Sequence, residues 1–443
     1  MDFADLIEKK KQGRANTKDE INFIVSSYLA GELSEAQMSA WMTAVYFKGM
    51  TLDETVFLTE ALGKSGKIIN FGSLAKKIAD KHSTGGVGDK VTITLIPLLA
   101  AAGVPVAKLA DRTLGASAGT VDKLEAIPGL NTTFSVEQIV SQVENINAVI
   151  ASHADFLAPA DKKMYALRNE IGILDSAPLI ASSMIAKKIA SGVSNIIIDV
   201  KYGSGSGMRT PEDAVSLSHL LVRVARELGK SLTTVVTPME EPLGRAVGHA
   251  LEVIEAIEFL KGNLEGSDLA ELTYSIGAVT LLHMDMFTSD AEALECLKHL
   301  IASGKALDKF RELVAAQGGL TDVIDNYDKF ILPKFKVECE SKKDGYVHSI
   351  RAGEIAHALR ELGAVRVFSS KQLDLSVGIF LNKKSGEYVK KGETLYTIYS
   401  NDAESTKFAQ RYCDEAFVIN EAKPAHNNLI YKIVSTKDED DNV

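Results

Sequence analysis

The chain has 443 residues, 46% hydrophobic and 24% charged, with 49 Lys+Arg against 59 Asp+Glu for a formal net charge of −10. This is the composition of a globular protein of two or three domains, and the acidic balance excludes the basic footprint of a nucleic-acid binder. An anion site in such a chain must be built locally, from selected Lys and Arg side chains and backbone N–H groups.

The N-terminus carries neither a basic n-region nor an apolar h-region, so no signal peptide is expected and the protein is read as cytoplasmic. Helix starts follow in succession: Thr17-Lys-Asp-Glu20, Ser34-Glu-Ala-Gln37 and Thr51-Leu-Asp-Glu54 each fit a capping box. Gly31 and Gly49 fall where the first two helices should stop. Residues 1–70 are therefore expected to be a small all-helical domain.

From about residue 75 the texture becomes strand, glycine-rich loop, helix, repeated. Ile78-Ala79 leads into Lys81 to Asp89 and a helix from Lys90; Val104 to Ala107 into Asp111 to Gly119 and a helix from Thr120; Ile196 to Val200 into Gly203 to Gly207 and a helix over Pro211 to Leu228. This alternation predicts a large α/β domain with a mainly parallel central sheet, over 71–157 and 193–333. Ligands of such sheets sit beyond the carboxyl ends of the strands, where these loops fall. Two helices between the second and third units, Pro159 to Asn169 and Pro178 to Ala190, lack strand signals of their own, and 158–192 is assigned to the helical domain as an insertion.

The most apolar stretch, Val91 to Ala110, is broken by Pro97, Gly103, Pro105 and Lys108, and reads as protein core with no membrane partner. Beyond Lys334 short alternating segments, such as Leu375 to Leu381 and Thr394 to Tyr399, predict a C-terminal α+β domain over 334–443 that ends in a solvated tail from Lys437. Cys296, Cys339 and Cys413 are scattered and odd in number, which predicts reduced thiols without a disulfide framework.

The densest chemical constellation is Lys81-His-Ser-Thr-Gly-Gly-Val-Gly-Asp-Lys90. Its glycines allow close backbone approach, Ser83 and Thr84 offer hydroxyls, and the following helix offers free N–H groups, a set that suits phosphate. The spacing is neither a Walker A loop nor a dinucleotide fingerprint, and a tight turn without a ligand is the alternative. His82 within it favours the functional reading, since an imidazole beside an anion site can hold or release a proton near neutral pH. Lys108, at a strand end, and Thr120, at a helix start, face the same sheet edge. A lone lysine is otherwise a surface residue. Ser183 and Lys187 are i and i+4 on one helical face, and Arg168 follows Tyr165 at the end of the preceding helix. Together they suit the polar edge of a flat heterocycle, against the alternative of a solvated charged face.

Four segments carry a family resemblance: Lys81 to Lys90, Leu157-Ala-Pro-Ala-Asp-Lys-Lys-Met-Tyr-Ala-Leu-Arg168, Ser182-Ser-Met-Ile-Ala-Lys187, and Pro242-Leu-Gly-Arg-Ala-Val-Gly-His-Ala-Leu-Glu-Val-Ile-Glu255. The chain resembles the thymidine and pyrimidine-nucleoside phosphorylases over nearly its whole length. The resemblance implies a homodimer with the active site between the helical and α/β domains. The implied reaction is phosphorolysis of a pyrimidine (deoxy)nucleoside by inorganic phosphate to free base and sugar 1-phosphate. Carried over by position are Lys81, Ser83, Thr92, Lys108 and Thr120 for phosphate, and Tyr165, Arg168, Ser183 and Lys187 for the base. His82 lies beside base and sugar, and catalysis would fall to His82, Arg168 and Lys187. No organic cofactor is implied. Some members hold a monovalent cation such as K+, at positions matching Gly88, Lys90, Leu243, Ala246 and Glu255, although an ammonium at position 90 cannot ligate a cation except through its backbone oxygen.

The chain departs from the family between Lys108 and Thr120. Ala110 stands for a phosphate-binding serine and Ala116 for a histidine, while Asp111 would repel a nearby phosphate. Gly207 stands where a Phe is usual, with Tyr202 preceding the glycine run, so the base pocket is expected to be reshaped. Alternatives are a related phosphorylase or phosphoribosyltransferase-like enzyme for a different base or nucleotide, and a non-catalytic nucleoside-binding relative.

Overall fold

The computed structural model describes residues 2–110, 119–365, 373–425 and 428–438. It opens with helices α1 (Phe3–Lys11), α2 (Lys18–Ala30), α3 (Glu35–Lys48) and α4 (Leu52–Gly63). All three capping boxes form: Thr17, Ser34 and Thr51 each accept from the third helical N–H, and the Glu or Gln there reaches back to the cap N–H. Each box satisfies two donors that a helix start would otherwise leave orphaned.

The alternating region follows as β1 (Ala79–Ser83), α5 (Val91–Ala101), β2 (Val106–Ala110), α6 (Thr120–Leu124), α7 (Val136–Ile146) and β3 (Ala148–Ser152). Two helices then come in a row, α8 (Pro159–Glu170) and α9 (Ala177–Ala190), before β4 (Asn195–Tyr202), α10 (Pro211–Glu227) and β5 (Ser231–Pro238). A short β6 (Ala246–Val247) precedes α11 (His249–Leu260), α12 (Asp268–His283), α13 (Asp290–Ala302) and α14 (Lys305–Ala316). The C-terminal region consists of β7 (Phe335–Glu340), β8 (Gly345–Ile350), α15 (Ala352–Leu362), β9 (Gly378–Leu381), β10 (Tyr388–Val389), β11 (Thr394–Ser400), α16 (Ala403–Ala416), β12 (Phe417–Asn420) and β13 (Lys432–Ser435). Among the described residues no helix is long and apolar enough to cross a membrane.

The large sheet runs β13-β5-β4-β1-β2-β3, parallel throughout except for β13, which lies antiparallel to β5. From β1 the chain winds outward through β2 and β3, then crosses back to lay β4 on the other side of β1. The carboxyl ends of β1 and β4 therefore flank a topological switch point. The residues at β13 were expected to belong to a separate domain. They instead return to the α/β sheet and cover the edge of β5, where unpaired backbone groups would otherwise face outward. Residues beyond 438, the end of the expected solvated tail, lie outside the described residues, but Lys437 itself bonds Asp285 at 2.6 Å. The C-terminal region forms a pair of antiparallel sheets, β10-β8-β12 and β6-β9-β11-β7, so β6 ties the α/β region to it.

Burial explains the discontinuous helical lobe. Leu58 and Leu62 of α4, Met164 and Leu167 of α8, and Leu179 and Ala186 of α9 share one apolar core with α1 to α3. Other residues of α9, such as Ile185 and Ala190, pack into the core on one face of the large sheet beside α10. The opposite face is covered by α5 and α11 to α14. Thus α9 is shared by both lobes, and its side chains stand at their junction.

Candidate active site

Alternation along β1 sends Lys81 and Ser83 to one face and Asp80 and His82 to the other. Lys81 and His82, expected in a loop, are strand residues, and this gives them fixed directions. The Lys81 ammonium is 1% exposed and makes no hydrogen bond among the described residues; its nearest carboxylate is Asp199, at 3.6 Å. A buried ammonium seldom goes without acceptors, so the arrangement suits a small anion at the end of β1. Asp199 is held on β4 by Lys201 at 2.8 Å and by the Thr237 hydroxyl at 2.5 Å.

The loop after β1 is tied down locally. Gly85 N–H donates to Ser83 Oγ, Thr84 Oγ1 accepts from Lys201 N–H, and Val91 N–H donates to Asp89 Oδ1. Burial pushes the Asp89 carboxyl up, but the charges of Lys201, Lys81 and Lys123 and a hydrogen bond from Ser83 outweigh it and hold the group well below the usual carboxylate range. Thr92 is buried in the first turn of α5, and Thr120 is half-buried at the start of α6. Of the phosphate candidates, Ser83 ends β1, and Thr92 and Thr120 lie in the first turns of the helices that follow, whereas Lys81 and Lys108 occupy the middle of β1 and β2, so Lys108 is not at the strand end expected for it. Ala110 ends β2, whereas Asp111 and Ala116 lie outside the described residues.

Lys108 Nζ lies 3.2 Å from His82 Nδ1 and 3.7 Å from Asp80 Oδ1. Burial, then the charges of Lys188, Lys108, Lys187 and Lys81, hold the His82 imidazole well below the usual histidine value. An ammonium has only donors, so Nδ1 must accept and the remaining proton of the neutral ring resides on Nε2. His82 thus offers a neutral N–H donor, and the sequence-based option of a proton donor is disfavoured.

The base candidates gather on α8 and α9. Lys187 Nζ lies 5.2 Å from the Tyr165 ring centre and 3.5 Å from Asp161 Oδ2, and the Arg168 guanidinium is 5.9 Å from the same ring. Ser183 is buried one turn before Lys187. Arg168 donates to the carbonyls of Leu174 at 2.9 Å, Leu179 at 3.1 Å and, weakly, Ile173 at 3.5 Å. Much of the fork is therefore spent stapling the turn between α8 and α9, a role its position alone did not disclose. Across the junction Lys188, next to Lys187, pairs with buried Asp80 of β1. That pair locks α9 onto the sheet and brings the charge of Lys187 to bear on His82.

Sequence reasoning missed Asp80, Asp161, Lys188, Asp199 and Lys201. The available signal was charge inside otherwise apolar strands, as in Ile198-Asp-Val-Lys201, since such residues are rarely buried unless paired. Gly207 borders open space: a Cβ there would meet nothing within 4 Å.

The five cation-site positions also come together, with a different occupant. Lys90 Nζ donates to Leu243 O at 2.8 Å, Ala246 O at 2.7 Å and Glu255 Oε2 at 2.5 Å. Gly88 packs so closely that a Cβ would lie 2.7 Å from Leu243 O. These residues do not fit a metal ion, because the oxygens converge on an ammonium and a second cation would meet like charge.

The helical lobe is joined to the α/β lobe through one shared helix, and the class of this pair of lobes is that of the glycosyl transferases. Residues 4–66 match the model of the glycosyl transferase family, helical bundle domain, and 75–307 that of the glycosyl transferase family, a/b domain. Residues 346–420 match the pyrimidine nucleoside phosphorylase C-terminal domain. The chain is 42% identical over 435 residues to a pyrimidine-nucleoside phosphorylase of Staphylococcus epidermidis, covering 98% of this chain and 100% of that protein. It is 42% identical over 401 residues to that of Staphylococcus aureus, covering 90% and 92%. In fold alone it is similar to anthranilate phosphoribosyltransferase from Thermus thermophilus, with a TM-score of 0.59 at 19% identity, over 72% of this chain and 99% of that one. The chain belongs to the pyrimidine-nucleoside phosphorylase family.

Proposed function

We propose that the protein cleaves pyrimidine nucleosides with inorganic phosphate, yielding free base and (deoxy)ribose 1-phosphate. The observation that carries this reading is the Lys81 ammonium, buried without a hydrogen-bond acceptor among the described residues, on the strand that also carries His82, whose Nδ1 lies 3.2 Å from Lys108 Nζ. In the reaction a phosphate oxygen bonds to the anomeric carbon as the carbon–nitrogen bond breaks, and the electron pair leaves with the base. Charge grows negative on the base and positive on the sugar, so assistance is needed at both ends. Lys81, Ser83, Thr92, Lys108 and Thr120 would hold the phosphate for attack. Arg168, Ser183 and Lys187 would bind the base, with Tyr165 beside them. The neutral His82 Nε2–H would donate a hydrogen bond to a base carbonyl as its negative charge develops.

No organic cofactor, nucleic acid or membrane enters this reading. It extends to a homodimer in the cytoplasm, the compartment being supported by the free thiols of Cys296, Cys339 and Cys413.

The experiment is incubation with uridine, thymidine and a purine nucleoside, with and without phosphate, following free base and sugar 1-phosphate. Phosphate-dependent release of uracil or thymine is expected. Release without phosphate, or release from the purine nucleoside alone, would overturn the reading.

A further inference from the structure

We infer that the Lys90 ammonium is a built-in monovalent cation, so that this protein needs no free K+ or Na+ to hold its phosphate loop. Lys90 is fully buried at the N-terminal cap of α5, between Asp89 and Thr92. Its three protons meet three acceptors, the carbonyls of Leu243 and Ala246 and the Glu255 carboxylate. Those acceptors are themselves arranged: Glu255 Oε1 accepts from Arg245 N–H at 2.7 Å and Oε2 from Ala246 N–H at 2.9 Å. The same segment is bound to the loop by Leu243 N–H donating to Val87 O at 3.1 Å.

Close approach requires glycine on both sides. Gly88 and Gly244 have φ of +70° and +68°, and a Cβ on Gly244 would lie 2.5 Å from Glu255 Oε2 and 2.8 Å from Lys90 Nζ. The neighbouring carbonyls of Pro242 and Gly244 accept from a second ammonium, Lys384 of the C-terminal region, at 2.5 and 3.1 Å. Four carbonyls of one short stretch, 242–246, thus point at two lysines. Convergent carbonyls and a carboxylate are the donor set of an alkali-cation seat, and here the charge is tethered. Tethering makes occupancy independent of ion concentration. It also fastens α5, whose first turn carries Thr92, to β6 and through it to the C-terminal sheet.

The test uses the full chain in a buffer whose only added cation is tetramethylammonium. Addition of K+, Na+ or NH4+ at constant ionic strength is expected to leave the wild-type thermal midpoint and turnover unchanged, and thallium(I) NMR should detect no bound ion. Lys90→Ala should lower the midpoint by roughly 5 °C or more, recover with K+ or NH4+ but not with tetramethylammonium, and bind thallium(I). Midpoint and ion binding are read without substrate, so failure here is distinct from failure of the phosphorylase reading. If Lys90→Ala does not fold, the wild-type cation titration and the wild-type thallium(I) spectrum still decide. A wild-type midpoint that rises with K+, or thallium(I) bound to the wild type, would overturn the inference.

Discussion

Lys108 Nζ sits 3.2 Å from His82 Nδ1, and this contact settles which nitrogen of the imidazole carries the proton. A side chain with donors only leaves its partner nitrogen to accept, so Nε2–H is the group available to a substrate. Buried, and ringed by the charges of Lys188, Lys108, Lys187 and Lys81, the ring stays neutral at physiological pH. Nitrogen NMR of the substrate-free protein should therefore show the Nε2–H tautomer at pH 7, with no titration near 6.5. His82→Ala should reduce kcat by about 100-fold, the cost of one donor aimed at developing charge. A cationic ring at pH 7 would refute this role.

Lys187 and Lys188 are adjacent but partner different lobes, Lys187 with Asp161 and Tyr165 of α8 and Lys188 with Asp80 of β1. Lys187→Ala should abolish turnover at a smaller cost in stability than Lys188→Ala, because Lys187 lies 3.5 Å from Asp161 and stays partly exposed. Lys188→Ala leaves a buried aspartate short of its close partner and should cost about 3–5 kcal/mol of stability. Parallel turnover and denaturant-unfolding measurements separate the two, and equal stability losses would contradict the division.

Lys81→Met should weaken phosphate binding by about 2 kcal/mol, the scale of a charge-assisted hydrogen bond. The fold should persist, because Asp199 keeps Lys201 at 2.8 Å. Calorimetric titration with phosphate reads the first effect and circular dichroism the second. Unchanged phosphate affinity would remove Lys81 from the anion site.

Open space around Gly207 implies that a ring is tolerated there. Gly207→Phe should alter stability by less than about 0.5 kcal/mol and shift KM for the nucleoside while leaving KM for phosphate unchanged. Gly88→Ala, whose Cβ would press on Leu243 O at 2.7 Å, should instead destabilise the protein. Equal effects of the two substitutions on unfolding would argue against this reading of the loops.

Burial, then the charge of Lys437, lowers the His283 imidazole to about 4 against the opposing pull of Asp285. The unfolded ring titrates near 6.5, so as pH falls the unfolded chain takes up the proton first. This contribution to stability is complete above about 6.5 and is lost progressively toward about 4. Urea unfolding should show roughly 2 kcal/mol less stability from this group at pH 5 than at pH 7, and His283→Asn should flatten the profile over that interval.

Local signals in the chain determined much of this protein. Capping boxes at Thr17, Ser34 and Thr51 marked helix starts, because a cap is completed within four residues. The strand-loop-helix rhythm disclosed a mainly parallel sheet, and the run from Lys81 to Lys90 marked the loop between β1 and α5 as the candidate anion site, since both depend on neighbours in sequence. What depended on distant residues was decided only in three dimensions. The pairing of Lys188 with Asp80 spans 108 positions, that of Lys90 with Glu255 165, and β13 returns some 200 residues to cover β5. Each is a buried charge or an open strand edge whose cost is relieved by whichever partner the fold delivers, and one-dimensional spacing carries no record of that delivery.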